Sequence, residues 1–155
     1  MTTEADYEAH EWQALIQAPL KAGLYLLTAD PNVTGMLAEM RALDGALRQP
    51  GVEPAAAELV SAVTATLAAK RAANDASAAP TGTARESIAA DLGDAVALVR
   101  SKGSPAEGAA FAGWLLGVAA AVARASHEGG FLGIGGTEVS QRERVALDEL
   151  QARLT

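Results

Sequence analysis

The segment from residue 127 to residue 138 (HEGGFLGIGGTE) has the composition in this chain that most invites a chemical role. Its five glycines leave the backbone free, and glycine-rich turns can hold phosphate groups on exposed amides. The segment has neither the Lys-Ser/Thr end of a P-loop nor the GxGxxG order that follows a strand, and Glu128 and Glu138 would repel an anion. A nucleotide site is therefore not predicted.

The same loop, 128–139, also carries three large apolar residues, Phe131, Leu132 and Ile134. One interpretation is a lid, in which these side chains fold back on the core while Gly130, Gly133 and the other glycines make the turns. The other is a docking or gating loop that binds a protein partner. Both interpretations stay open, and these five residues are the predicted binding residues.

Metal and catalytic sites find little support in the residue types present. The chain has no cysteine and two histidines, so thiolate chemistry and cysteine-based metal sites are excluded. His10 lies among acidic residues at a predicted helix start without the HExxH spacing, and His127 lies at a predicted helix end, where a cation is favourable. No catalytic residue and no cofactor is predicted. An enzyme with an unrecognised site remains an alternative.

The overall charge restricts the partners. A net charge of −7 and a pI near 4.8 oppose binding to nucleic acid or anionic lipid, both of which need clustered Lys and Arg. The N-terminal residues are acidic and lack the basic and apolar regions of a secretory signal. We therefore expect a cytoplasmic protein that binds protein, not nucleic acid.

One stretch must organise the rest of the chain, because residues 108–123 (GAAFAGWLLGVAAAVA) contain no charged or strongly polar side chain. A helix that is apolar on every side is a buried one, so we predict a central core helix over 105–126. The apolar run is shorter than the roughly 20 residues that cross a bilayer, so no membrane span is predicted. Small residues four apart should let another backbone come close to this helix. They are Ala109, Gly113, Gly117 and Ala121.

The remaining elements also follow helical spacing, and no stretch shows useful strand alternation. Capping-box patterns at Thr83, Ser104 and Ser140 mark three helix starts, and Pro19 is expected to end or bend the first helix. We predict an all-α, single-domain bundle (1–155) of six or seven helices, with a mobile linker at 74–83. The outer helices are predicted at 4–17, 19–28, 34–49, 54–70, 83–100 and from 140 onward.

Two segments resemble TerB-like, tellurite-resistance-associated helical domains. Residues 26–30 (LLTAD), followed by Glu39, are similar to the Ala-Asp-Gly element of that family, with Pro31 where the family tends to have glycine. Residues 136–143 (GTEVSQRE) are similar to its Val-Ser-x-x-Glu element. The resemblance implies an all-helical domain with an acidic, metal-binding surface and a role in stress-related assemblies. No metal site is predicted outright, but Asp30, Glu39 and Glu138 are the carboxylates that the resemblance would put forward.

Together these patterns favour a non-enzymatic helical interaction module that self-associates or docks to a protein partner. A metal- or small-ligand-binding stress-response domain of the TerB-like type is the first alternative. A cavity beside the central helix would favour that alternative, because a pocket between alanine-rich helices leaves no trace in the sequence.

Overall fold

Helices build every layer of the part of the chain that the structure describes. The computed structural model describes residues 1–29, 36–80, 84–128 and 139–155. These residues form six α-helices: α1 (Ala9–Leu27), α2 (Met36–Arg48), α3 (Ala57–Ala72), α4 (Arg85–Lys102), α5 (Pro105–Glu128) and α6 (Gln141–Leu154). Single 3₁₀ turns lie at Glu4–Asp6, Pro54–Ala56 and Ala76–Ala78. The predicted all-α fold is confirmed.

The central position of α5 is also confirmed, since it contacts α1, α2, α4 and α6. Phe111, Leu115, Val118 and Val122 form its core stripe, and each is at most 1% exposed. These side chains recur at helical spacing, so a single face of α5 delivers all four to the core. Burying each stabilises the fold by about 1.5–3 kcal/mol relative to leaving it in water.

The opposite side of α5 differs from the prediction. Ala109, Gly113 and Gly117 are exposed and Ala121 is half-buried, so the expectation that neighbours cover α5 on every side is wrong. The physical reason is that glycine and alanine offer little apolar area, and leaving them in water therefore costs little. An apolar helix with one face of small residues can remain open on that face.

The first helix is also longer than predicted. We predicted that Pro19 ends or bends the first helix and that a second helix follows at 19–28, but a single helix, α1, runs from Ala9 to Leu27, and Pro19 is buried in it. Proline inside a helix removes one hydrogen bond and costs about 3 kcal/mol. Burial of Leu15, Ile16 and Leu20 around this point offsets that cost, because all three pack into the same core.

The helix begins at Ala9 because Glu8 acts as its N-cap and the Glu8 amide donates to Glu11 Oε2 at 2.7 Å.

Two predicted capping boxes can be compared with the structure. At α6 the box is complete, since the Glu143 amide donates to Ser140 Oγ at 3.2 Å and the Ser140 amide donates to Glu143 Oε2 at 2.9 Å. At α5 the Glu107 amide donates to Ser104 Oγ at 3.1 Å, whereas the Glu107 carboxylate accepts hydrogen bonds from Thr2. At α4 the observed N-cap is Ala84, while Thr83 lies outside the described residues.

Residues 74–80 of the predicted linker pack against α1. The side-chain amides of Gln13 and Gln17 donate to the Ser77 carbonyl, and Gln17 also donates to the Ala79 carbonyl at 3.1 Å. Ala78 between them is buried. Residues 81–83 lie outside the described part of the chain, and the mobility of the linker stays a prediction.

Candidate functional site

The five predicted binding residues belong to the glycine-rich loop, 128–139. Gly130, Phe131, Leu132, Gly133 and Ile134 all lie outside the described residues. The lid and the docking loop therefore both stay predictions.

The metal candidates are only partly described. Asp30 and Glu138 lie outside the described residues, and Glu39 is buried in the first turn of α2. His10 has a 78% exposed side chain whose Nδ1 lies 3.4 Å from Glu8 Oε2, as expected for a solvated helix start. Within the described ranges, no group of three or more His, Cys, Asp or Glu residues could hold a metal ion. The TerB-like resemblance also stays a prediction, because its segments lie partly outside those ranges.

The aromatic residues belong to the core. Tyr7, Trp12, Tyr25 and Trp114 are each at most 8% exposed, so they pack inside the bundle and do not form an open cage for a ligand. Burial raises the pKa of the Tyr7 phenol, because the phenolate would lose its hydration there.

The most distinctive surface is one face of α5, which we call the open face. Its exposed members lie three or four residues apart, and the half-buried ones flank them. No charged residue belongs to this face between residue 106 and residue 121, and the exposed Arg124 lies one turn beyond. The exposed members are Ala106, Ala109, Gly113 and Gly117, and the half-buried members are Leu116, Ala120 and Ala121.

The glycines of the open face differ from glycines inside the fold. A methyl group added at Gly23 would lie 3.0 Å from Leu43 Cδ1, and one added at Gly108 would overlap Arg100. At those positions glycine lets two helices approach. At Gly113 and Gly117 no atom of the described residues lies within 4 Å of the added methyl. Each of these two glycines costs the helix roughly 1 kcal/mol relative to alanine, and no contact in the described structure compensates for that cost.

Length and composition alone do not decide whether α5 is a membrane helix. Among the described residues it is the one helix long and apolar enough to cross a bilayer, over Pro105–Ala125. Inside the bundle, 61% of its apolar window is buried, and the core helix of a soluble protein passes the same test. The absence of a membrane span stays a prediction.

A second surface feature is a groove between α1 and α4, with a volume of about 510 Å³. Near each end of this α1–α4 groove an ion pair joins the two helices. At one end Lys21 Nζ lies 2.6 Å from Asp91 Oδ2, and at the other Lys102 Nζ lies 2.6 Å from Glu11 Oε2. The hydrogen bond from Lys102 lowers the pKa of the Glu11 carboxyl, because it favours the charged form. The sequence analysis did not predict this groove, because its two walls come from helices far apart in the chain. Lys21 on one wall and Asp91 on the other are 70 residues apart.

A buried carboxylate ties the N-terminal segment to the start of α5. Glu107 is 1% exposed, and its Oε1 accepts the Thr2 amide at 2.6 Å and the Thr2 hydroxyl at 2.8 Å. The Thr2 hydroxyl also lies 2.7 Å from the Tyr7 hydroxyl. The sequence suggested only a capping role for Glu107, because nothing local indicates a partner 105 residues away.

The chain was also compared with known protein families, curated proteins and solved structures. No family model, no curated protein and no solved structure matches the chain.

Proposed function

We propose that this protein is a non-enzymatic helical interaction module that self-associates by packing the open face of α5 against the same face of a second copy. One observation carries the proposal. Gly113 and Gly117 lie four residues apart on an uncharged helix face, and no described atom uses the space above them. Glycines at this spacing serve close approach of a second helix, because a backbone without Cβ atoms lets the partner backbone come near.

The occupant that fits this face best is an identical helix. A ridge of small residues is complementary to another such ridge, and two-fold symmetry brings the same patch of both subunits together. Larger side chains on an unrelated helix would hold it away from the glycine backbone. The charge also permits the contact, because the open face carries no carboxylate although the chain has a net charge of −7.

The size of the open face sets the expected strength. At 1.5 Å per residue, the face from 106 to 121 is about 24 Å long, and a helix is about 10 Å wide. Two such faces bury roughly 500 Å² together, whereas stable interfaces bury about 1,200 Å² or more. We therefore expect a weak, concentration-dependent dimer with a dissociation constant in the micromolar range or above.

Sedimentation velocity over a concentration series from about 1 µM to about 1 mM tests the proposal, because this range brackets weak association. The wild type should shift towards dimer, and Gly117→Leu should remain monomeric, since the new side chain separates the two backbones. Gly45→Leu is the matched control: Gly45 is an exposed glycine on α2, also without a described atom within 4 Å. A wild type that stays monomeric throughout, or a Gly117→Leu variant that dimerises like Gly45→Leu, would refute self-association through α5.

A further inference from the structure

We infer that the α1–α4 groove binds a small zwitterion, an α-amino acid with an aliphatic side chain. This site is separate from the open face of α5 and does not depend on self-association. The two end pairs, Lys21 with Asp91 and Glu11 with Lys102, show that α1 and α4 run antiparallel along the groove. Its volume of about 510 Å³ is within the range of sites that hold small molecules.

Lys21 supplies the group that would recognise a carboxylate. The residue is 7% exposed, and it lines the groove. An ammonium has three N–H donors, and Asp91 accepts from one of them at 2.6 Å. No second acceptor for Lys21 Nζ is present among the described residues, so two of its donors are available to a ligand in the groove. A ligand carboxylate in the groove would accept from them.

Asp94 supplies the group that would recognise an amine. It lies one turn after Asp91 on α4, lines the groove and is exposed. It makes no ion pair or hydrogen bond with any described residue, whereas Glu11 and Asp91 are each paired with a lysine. A ligand ammonium beside Asp94 would balance the one unpaired carboxylate that lines the groove.

The floor of the groove determines the third part of the ligand. Ala14, Ala18, Ala95 and Leu98 form an apolar surface between the charged groups, and an aliphatic side chain fits there. The combination excludes simpler ligands. An anion alone would face the carboxylate of Asp94, and a cation alone would leave the remaining Lys21 donors without an acceptor, whereas a zwitterion satisfies both groups at once.

Isothermal titration calorimetry with L-leucine tests this site. Isoamylamine and 4-methylpentanoate serve as probes that carry only the amine or only the carboxylate. Leucine should bind with a dissociation constant of about 1 mM or below, and both single-charge probes should bind at least about tenfold more weakly. Asp94→Asn keeps the shape of the side chain and should weaken leucine binding about tenfold or more. Glu58→Gln, an exposed carboxylate on α3, should leave it unchanged.

Lys21→Met removes the ammonium, and its far-ultraviolet circular dichroism melt shows whether the variant is folded before titration. If Lys21→Met does not fold, Asp94→Asn together with the two single-charge probes still decides the question. Leucine that fails to bind at tens of millimolar would overturn the inference, as would leucine binding that Asp94→Asn leaves intact. Isoamylamine that binds as well as leucine would also overturn it and indicate a cation site. None of these results bears on the dimer, because sedimentation measures that separately.

Discussion

Replacing both Gly113 and Gly117 by alanine should stabilise the isolated subunit. Both glycines lie in the middle of α5, both are exposed, and the added methyl groups meet no described atom within 4 Å. Glycine costs a helix about 1 kcal/mol relative to alanine at each interior position, so the double variant should gain about 2 kcal/mol. For a chain of this length, each kcal/mol raises the melting temperature by about 2–4 °C. The expected rise is therefore about 4–8 °C.

Two other glycines provide controls of opposite sign. Gly45→Ala on α2 has the same helix effect and the same open space, so it should gain about 1 kcal/mol. Gly108→Ala would overlap the Arg100 side chain and lie 3.2 Å from Arg100 Cα. Arg100 is itself held by a hydrogen bond of 3.0 Å from its Nη2 to the Leu154 carbonyl. Overpacking costs about 1–3 kcal/mol, and here the methyl would overlap Arg100 Cγ close to the backbone, so the cost should exceed the helix gain of about 1 kcal/mol and Gly108→Ala should melt below the wild type.

The assays are urea unfolding and thermal unfolding, both followed by circular dichroism, at a protein concentration low enough that the dimer does not contribute. A double alanine variant that loses stability, as Gly108→Ala should, would refute the argument, because it would show that part of the chain packs on these glycines. At high concentration the same variant should associate less than the wild type, since two added methyl groups per subunit keep the helices apart. The helix propensity of alanine alone would make the subunit more stable but would not weaken its association. Both changes together therefore support packing of a second helix on these glycines.

Two further predictions concern hydrogen bonds to carboxylates. The Ser77 amide and hydroxyl hold the pKa of Asp75 at about 2, below the usual 3.8, so its contribution to stability is present above pH 3.8 and is lost as the pH falls through 2. A nuclear magnetic resonance titration of the Asp75 carboxyl should show a midpoint near 2, and a midpoint near 3.8 would contradict the capping contact. Thr2→Val removes the hydroxyl that donates to Glu107 and should cost about 1–3 kcal/mol in urea unfolding, while Thr2→Ser should retain most of the stability. An equal loss of unfolding free energy in Thr2→Val and Thr2→Ser would show that the hydrogen bond from the Thr2 hydroxyl does not stabilise the fold.

Periodicity in the sequence was enough to predict the helices and the core stripe of α5, because Phe111, Leu115 and Val118 repeat at helical spacing. It could not predict that α1 continues through Pro19, because the compensating burial comes from tertiary packing. It also could not show which side of α5 stays open, since a small apolar residue is compatible with both a core and a surface.

Whether a polar contact could be predicted from the sequence depended on how far apart its two residues lie along the chain. The Ser140–Glu143 cap joins residues three apart and was predicted correctly. The pair of Lys21 with Asp91 joins residues 70 apart, and the bond from Thr2 to Glu107 spans 105. Local spacing carries no information about such contacts, so the α1–α4 groove and the role of Glu107 required the fold.

The attachment of residues 74–80 to α1 affects how the chain would respond to a cut. Gln13 and Gln17 hold the Ser77 carbonyl, and Gln17 also holds the Ala79 carbonyl. A protease must draw its substrate into an extended strand, and here it would first have to break those bonds. Cleavage nearby would also leave the fragments joined, because α5 in the C-terminal half packs on α1 and α2 in the N-terminal half. The boundary between the halves is part of the hydrophobic core, so the two fragments of a cut chain would have to expose that core to separate.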